Sequence, residues 1–558
     1  MRTLYLFLTA LLSTASLQAQ DVSQFGNKNA YGLSGSLNVG GNFYETNRES
    51  TSVYAPYGYQ VSGNITAKLG AISVPLQFTF NQTSNSLSSP FNLYGASPQY
   101  KWVKVHLGYR NLAFSPYVYN GRSFLGAGIE LTPGKFNFTA FRGKLKNLLS
   151  IRQAELNQTE ILPSYDRWIT GARIGFGQKT KFELLAVHVK DNDEGQVDIP
   201  LSPAENIVLG SKLKITLFNN LSLNASGNVS LLTADINASG ADQFNTITEQ
   251  TGELAELNFT SRASWAGDAD ISYRLKQFNV GLFYKRINPY YQSLATNYLQ
   301  NDIEQLTFKG SLPLMKNAIR IDGSIGRERD NLENNKGFTS VRTIGSLGLS
   351  YRRGHTFHIQ GRYNNYQTEN ESGLYVVNDS VRVLTTTSNI MLSSFITLFT
   401  NEELEGKLTF NVFNNRVIDD TQVEDLREVF DGKGSYASLG FNFIPIQFTI
   451  GPVVNYSRFI SQFSDQRRTG FGINASKAFF DSKLMINGNA LYNFTKSEGE
   501  DDGYFLSFSF QTRYIIAKDI SANFRLNNNS YQGIISQSFN EWRGYLGISY
   551  RWNLMNKN

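Results

Sequence analysis

The chain of 558 residues is 41% hydrophobic and 18% charged, with a mean hydropathy of −0.30, and that balance excludes a bundle of membrane-spanning helices. Cysteine is absent, which removes disulfide frameworks, thiolate nucleophiles, Cys-ligated zinc and a lipidated N-terminal cysteine. The formal charge of +6 comes from 52 Lys and Arg interspersed with 46 Asp and Glu, without the basic run that a nucleic-acid partner needs.

The first element is a secretory signal. Met1-Arg2-Thr3 is a short basic start, Leu4 to Leu12 an apolar stretch, and Ser13 to Ala19 a small and polar region ending before Gln20. The apolar stretch is shorter than a spanning helix needs, so residues 1–19 are expected to be removed. Residues 20–29 then form a short periplasmic segment, and 30–558 the body of the protein. So little chain before the first strand leaves no room for the plug of an energised transporter or for the periplasmic repeats of an assembly factor.

From Ala30 onward the dominant pattern has period two, which sends successive side chains to opposite faces of a sheet. Leu221, Leu223, Ala225, Gly227, Val229 and Leu231 oppose Ser222, Asn224, Ser226, Asn228 and Ser230. Ile319 to Ile325 and Ile520 to Leu526 repeat the pattern. In the last strand Trp542, Gly544, Leu546, Ile548, Tyr550 and Trp552 oppose Arg543, Tyr545, Gly547, Ser549 and Arg551. A soluble sandwich with one wet face also alternates, so other features must place the sheet.

Three do so. The strands run to roughly 10 to 15 residues, against the five or six of soluble sheets, which suits a tilted bilayer crossing. Trp542, Tyr550 and Trp552 stand near the ends of an apolar face, where amphipathic rings meet headgroups. Connections alternate between tight and long. Thr132 to Lys135, Gly177 to Lys179, Phe218 to Asn220, Arg353-Gly354 and Lys518-Asp519 are tight. Lys144 to Asp166, Asp191 to Glu205, Ile236 to Leu257 and Asp419 to Lys433 are long and polar. Short periplasmic turns and long external loops mark an outer-membrane barrel. The expected fold is therefore all-β: one transmembrane antiparallel barrel of about 24 strands, within 22 to 26.

The count is disturbed between Asn81 and Leu131. Ile72 to Asn81 should run outward, Tyr100 to Arg110 inward, and Phe124 to Leu131 inward again. Either Asn111 to Arg122 holds an extra outward strand despite Pro116, or it, or the preceding Thr83 to Ser97 stretch, folds into the lumen. A proline is unwelcome in mid-sheet because it cannot donate to the ladder, so Phe114, Pro116, Tyr117 and Tyr119 are the constriction candidates. In the lumen, the tyrosines would take hydrogen-bond partners from arginines across the pore.

The segment Phe91 to Asn147, FNLYGASPQYKWVKVHLGYRNLAFSPYVYNGRSFLGAGIELTPGKFNFTAFRGKLKN, resembles a Bacteroidota outer-membrane β-barrel family of unknown function, and the Ala19-Gln20 junction is similar to signal-peptide ends in that phylum. The resemblance implies the barrel and its compartment and brings no activity with it. Asp379-Ser380-Val381 is similar to the O-glycosylation motif of those bacteria, which makes Ser380 a modification candidate.

Parity assigns Lys104, His106, Arg110, Lys212, Lys214, Arg262, Lys285, Lys309, Arg320, Arg362, Arg513, Arg525, Arg543 and Arg551 to the lumen, against Glu130, Asp268, Asp270, Asp322 and Glu328. Such a face either favours anionic solutes or forms a structural ladder with acids and carbonyls. No catalytic set emerges: His106 has no acidic residue within two positions to orient it. No metal site emerges either. His355 and His358 are three apart, so on a strand they face opposite ways, His355 beside Phe357 toward lipid and His358 toward the lumen. No cofactor is implied.

Two functions remain, a porin-like channel for small solutes, whether or not anions are favoured, or a non-conducting barrel that is a binding or scaffold subunit of an outer-membrane complex. The implied partners are outer-membrane lipid and lipopolysaccharide, small solutes, and other outer-membrane proteins.

Overall fold

A computed structural model describes residues 31–48, 56–81, 93–146, 164–193, 201–218, 220–239, 257–297, 299–372, 374, 384–419, 430–461 and 464–554. The signal segment 1–19 and the candidate modification residue Ser380 lie outside these residues.

Twenty-seven ladder segments follow one another in the described residues. β1 to β3 are Tyr31–Thr46, Tyr57–Leu69 and Ile72–Asn81, β4 and β5 are Leu93–Ala96 and Gln99–Tyr100, and β6 to β8 are Val103–Arg110, Phe124–Leu131 and Phe136–Lys146. β9 to β14 are Asp166–Gly177, Lys181–Asn192, Glu205–Leu217, Leu221–Thr233, Ser261–Leu275 and Phe278–Ile287. β15 to β20 are Ile303–Leu314, Ile319–Arg329, Phe338–Arg353, Phe357–Ser372, Leu384–Thr400 and Leu404–Asp419. β21 to β27 are Phe430–Phe443, Phe448–Ser461, Ser464–Phe479, Leu484–Ser497, Glu500–Ala517, Ile520–Gln532 and Phe539–Asn553.

Each strand pairs antiparallel with its neighbours, and β27 returns to β1, from Ser34 opposite Asn553 to Thr46 opposite Glu541. The ring has no free edge. β4 and β5 are two halves of one crossing, because both keep one register against β3 and another against β6. The barrel thus has 26 spanning strands, at the top of the expected range rather than at 24.

The miscount has a local cause. Tyr100 to Arg110 is not one inward strand, and the described part of Thr83 to Ser97 is wall rather than lumen, because Leu93–Ala96 pairs with β3. The chain descends through β4 and β5, reverses at Lys101-Trp102 and climbs again in β6, so the missing outward strand is Val103–Arg110. Lys101 adopts φ 50 in that turn, and a lysine gives no glycine or asparagine signal for a positive φ.

One parity carries around the ring. Arg173 opposes Leu185, which opposes Gly210, which opposes Asn228, which opposes Ala266. This face touches the chain segments inside the barrel, so it is the inner one. The other face carries the apolar belt: Leu546 is 59% and Ile548 51% exposed, a burden that only lipid relieves. Phe176, Phe218 and Phe480 stand exposed at the tight-turn rim, at headgroup height.

An arginine at a midplane lipid-facing site costs about 2 to 4 kcal/mol, whereas an inner-face arginine stays in a polar space. Ile548→Arg is therefore expected to lower the yield of heat-modifiable barrel well below that of Ser549→Arg on a gel of unheated samples. Equal yields would reverse the assignment of faces.

Candidate functional site

Asn111 to Ser123 leaves the top of β6, lies along the inner wall and returns to β7, whose Phe124 is directly opposite Arg110. Its tip is a turn on Ser115. The Phe114 amide donates to Tyr119 O at 3.0 Å, the Val118 and Tyr119 amides donate to Ser115 O, and the Tyr117 amide donates to Ser115 Oγ at 3.1 Å. Pro116 occupies the second turn position, where a preset φ helps and no amide is called for. Proline thus fits a turn in the lumen, not a strand.

The segment is a packed pad. Phe114, Val118 and Tyr119 are buried with Leu112, Phe124, Phe141, Ile169, Leu185, Val187, Val189 and Val208. Phe124 stacks on Phe141 at 4.5 Å between centroids, and Tyr119 lies 5.1 Å from the same ring. Phe141 lies flat against the wall because a Cβ at Gly171 would sit inside van der Waals contact with its ring, so the wall must be bare there. The tyrosine partners differ from the expected arginines across the pore. Tyr119 donates its hydroxyl to Arg122 O at 2.8 Å, and Tyr117 lies beside Asp268. Both stay with their own side of the wall. Burial first, and for Tyr117 the nearby carboxylate, push both hydroxyls up from the ordinary tyrosine value.

A second inner segment escaped the sequence reading. Between β14 and β15, the described residues 288–297 and 299–302 also fold inward and stitch to the first. Tyr291 donates its hydroxyl to Tyr117 O at 3.0 Å, Ser293 Oγ to Val118 O at 2.8 Å, and Arg122 Nε to Thr296 O at 2.7 Å. Asn206 ties it to the wall, accepting from the Leu294 amide and donating to Ser230 Oγ. The available signal was Asn288-Pro289 followed by a stretch without alternation before Ile303.

The register places every candidate cation on the inner face, but it pairs many of them. Lys285 and Arg342 share Glu328 at 3.5 and 3.0 Å, Lys309 meets Asp270 at 3.1 Å, Arg362 meets Asp322 at 3.7 Å, and Arg543 meets Glu541 at 2.6 Å. Lys212 donates to Phe114 O and so pins the pad, while Arg262 lies over the Tyr290 ring. Among the described residues, Lys214, Arg320, Arg513, Arg525 and Arg551 make no contact with an acid within 4 Å. Lys214, Arg320, Arg513 and Arg551 stand toward the tight-turn end of their strands, and Arg525 at mid-strand.

His355 lies in the turn Gly354–Thr356 rather than on a strand face, and His358 sits on the inner face against Phe395. No cluster of three or more potential metal ligands occurs among the described residues. His106 does acquire an acid. Its Nδ1 lies 3.0 Å from Ser97 Oγ and its Nε2 3.4 Å from Glu130 Oε1, because β4–β5, β6 and β7 bring the three together across the sheet. Sequence distance had hidden Glu130.

No protein-family model and no curated relative matches the sequence. Among solved structures, the chain is similar to the FrpB iron transporter from Neisseria meningitidis at 12% identity and TM-score 0.41, over 96% of this chain and 82% of that one. It is similar to the P pilus usher PapC translocation pore at 9% identity and TM-score 0.38, over 93% and 99%. It is similar to OccAB4 from Acinetobacter baumannii at 12% identity and TM-score 0.30, over 70% and 99%. These are likenesses of barrel architecture and say nothing of cargo.

The bare wall at Gly171 gives a direct test of the pad. Gly171→Ala should unseat Phe141 at a cost of about 1 to 3 kcal/mol. The barrel should remain heat-modifiable while chymotrypsin gains cleavage at Phe114, Tyr117 or Tyr119. A cleavage pattern like that of the unmodified protein would show that the seat is not tight.

Proposed function

We propose that the protein is a passive outer-membrane channel for small solutes, with anions favoured, narrowed on one side by the pad. One observation carries this reading, the contrast between two arcs of the inner face. On β10 the inward Leu185, Val187 and Val189 are buried under the pad, whereas on β18 Gln360, Arg362 and Asn364 and on β25 Gln511 and Arg513 are open to solvent within the ring. A half-filled lumen leaves a polar passage beside the pad. The cations without acidic partners near the tight-turn end raise the local concentration of anions there.

The same reading takes the Ser97, His106 and Glu130 trio as structural. Ser97 and His106 are directly opposed neighbours in the β4–β6 register, a polar clasp at the Ser97-Pro98 break between β4 and β5. It also takes residues 1–19 as a removed signal, so that the mature protein begins at Gln20.

Conductance in a planar bilayer tests the proposal. The purified protein is expected to give discrete steps with a reversal potential on the anion side in a salt gradient. Deleting Phe114 to Asn120 should raise the step size without loss of heat-modifiability, since Arg110 and Phe124 remain neighbours and the shortened link still closes. Absence of any step from folded barrel would reject the channel in favour of a binding or scaffold subunit. Steps unchanged by the deletion would show that the pad does not set the width.

Replacing Arg513 and Arg525 together by Gln should shift the reversal potential toward zero. An unmoved potential would remove the role given to these inner-face arginines.

A further inference from the structure

Beneath the root of the pad, the inner face holds a cavity of about 410 Å³ lined by Lys104 and Arg110 of β6, Glu130 of β7, Arg173 of β9, Gln77 of β3 and Asn111 of the pad itself. Three cations face one carboxylate. The pairing of these cations is incomplete. Lys104 Nζ is 4.0 Å from Glu130 Oε2, the outer limit of an ion pair, and Glu130 is also shared with His106.

Arg173 donates through Nη2 to Thr139 Oγ1 at 2.9 Å and lies over the Phe114 ring, and its Nε is 4.0 Å from Glu183, which is held more closely by Lys181 at 2.8 Å. Arg110 has no acidic partner among the described residues, and its Nη1 donates to Tyr109 O at 3.0 Å. The Nε atoms of Arg110 and Arg173 are both buried without an acceptor. A Cβ at Gly95 would lie 2.7 Å from Arg110 Nη1, so the wall is pared back to admit this guanidinium.

A cavity lined by a surplus of positive charge, with Arg110 lacking an acidic partner and Arg173 sharing its acid with a closer lysine, matches the oxygens of a compact anion. We propose that this cavity binds a small oxyanion, a phosphate or a short dicarboxylate, held by Arg110 and Arg173 with Lys104 at its edge. Gln77 and Asn111 supply amides for orientation. Glu130 opposes the bound charge and so keeps the anion exchangeable, as a site along a passage requires. As a station for passing solute the site rests on the channel reading, whereas the binding event stands apart from it.

The test is calorimetric titration of the purified full-length barrel in detergent with inorganic phosphate and, separately, with succinate, at constant ionic strength. One equivalent of either anion is expected to bind, and Arg110→Gln and Arg173→Gln are each expected to weaken binding about tenfold, the worth of a charge-assisted hydrogen bond. Arg110→Lys should recover part of the loss, and Lys407→Gln, on the inner face of β20, should change nothing. Gel mobility of unheated samples confirms folding. Should Arg173→Gln fail to fold through loss of its Thr139 bond, Arg110→Gln carries the test, since its guanidinium has no acidic partner. Binding of phosphate alone or of succinate alone names the source. Binding of neither to folded barrel, or an equal loss in Lys407→Gln, overturns the site. Binding without conductance leaves the site standing and rejects the channel, and conductance without binding does the reverse.

Discussion

Hydrocarbon offers no partner to a backbone amide or carbonyl, so a sheet that crosses a membrane must close on itself. Closure at 26 strands follows here from the β1–β27 pairing, and it creates a second demand. A ring that wide encloses more space than its own inward side chains can fill. The two inner segments answer this by lining one arc of the wall with apolar side chains, so part of the lumen is packed like a protein interior. The pad is therefore a product of closure as much as an addition to it.

The pad in turn dictates the composition of the wall beneath it. A strand between lipid and water alternates, but a strand between lipid and a packed pad must be apolar on both faces. β10 shows this: Leu184 and Phe182 face outward while Leu185, Val187 and Val189 face the pad. Away from the cavity at its root, charge under the pad is closely paired, as with Arg167, whose Nε and Nη2 donate to the two carboxylate oxygens of Asp191 at 2.7 and 2.8 Å, a match that offsets the loss of water around both groups.

This explains which parts of the barrel were legible in the sequence. Face assignments were plain in β12, β16, β26 and β27, where a wet inner face opposes lipid and the period of two is unbroken. In β11 the lumen assignment of Lys212 and Lys214 held, but β9 and β10 gave no face assignment, so Arg173, Arg167, Glu183 and Asp191 were not recognised as inner-face residues. The doubly apolar run Phe182 to Val189 was itself the clue, since in a barrel it means that something covers the inside. The Lys101-Trp102 reversal was invisible because its strained residue is a lysine. Glu130 was placed on the lumen face, but its contact with His106 was missed because the cross-strand neighbourhood of a residue is set by register and not by sequence distance. Pro116 and Pro289 each lie in a segment that leaves the wall, but Pro75, Pro313 and Pro452 are paired within wall strands, so proline was informative only where alternation also lapsed.

Strand length sets the height of the wall at each point around the ring. β6 and β7 have 8 residues each, whereas β25 has 18, a difference of about 34 Å of extended chain at ~3.4 Å per residue before tilt is counted. The rim is thus a slope, lowest where the chain dives inward to form the pad and tallest on the far arc. Among the described strands, a solute within the ring is therefore faced by a short ladder on the pad side and by the tallest one opposite.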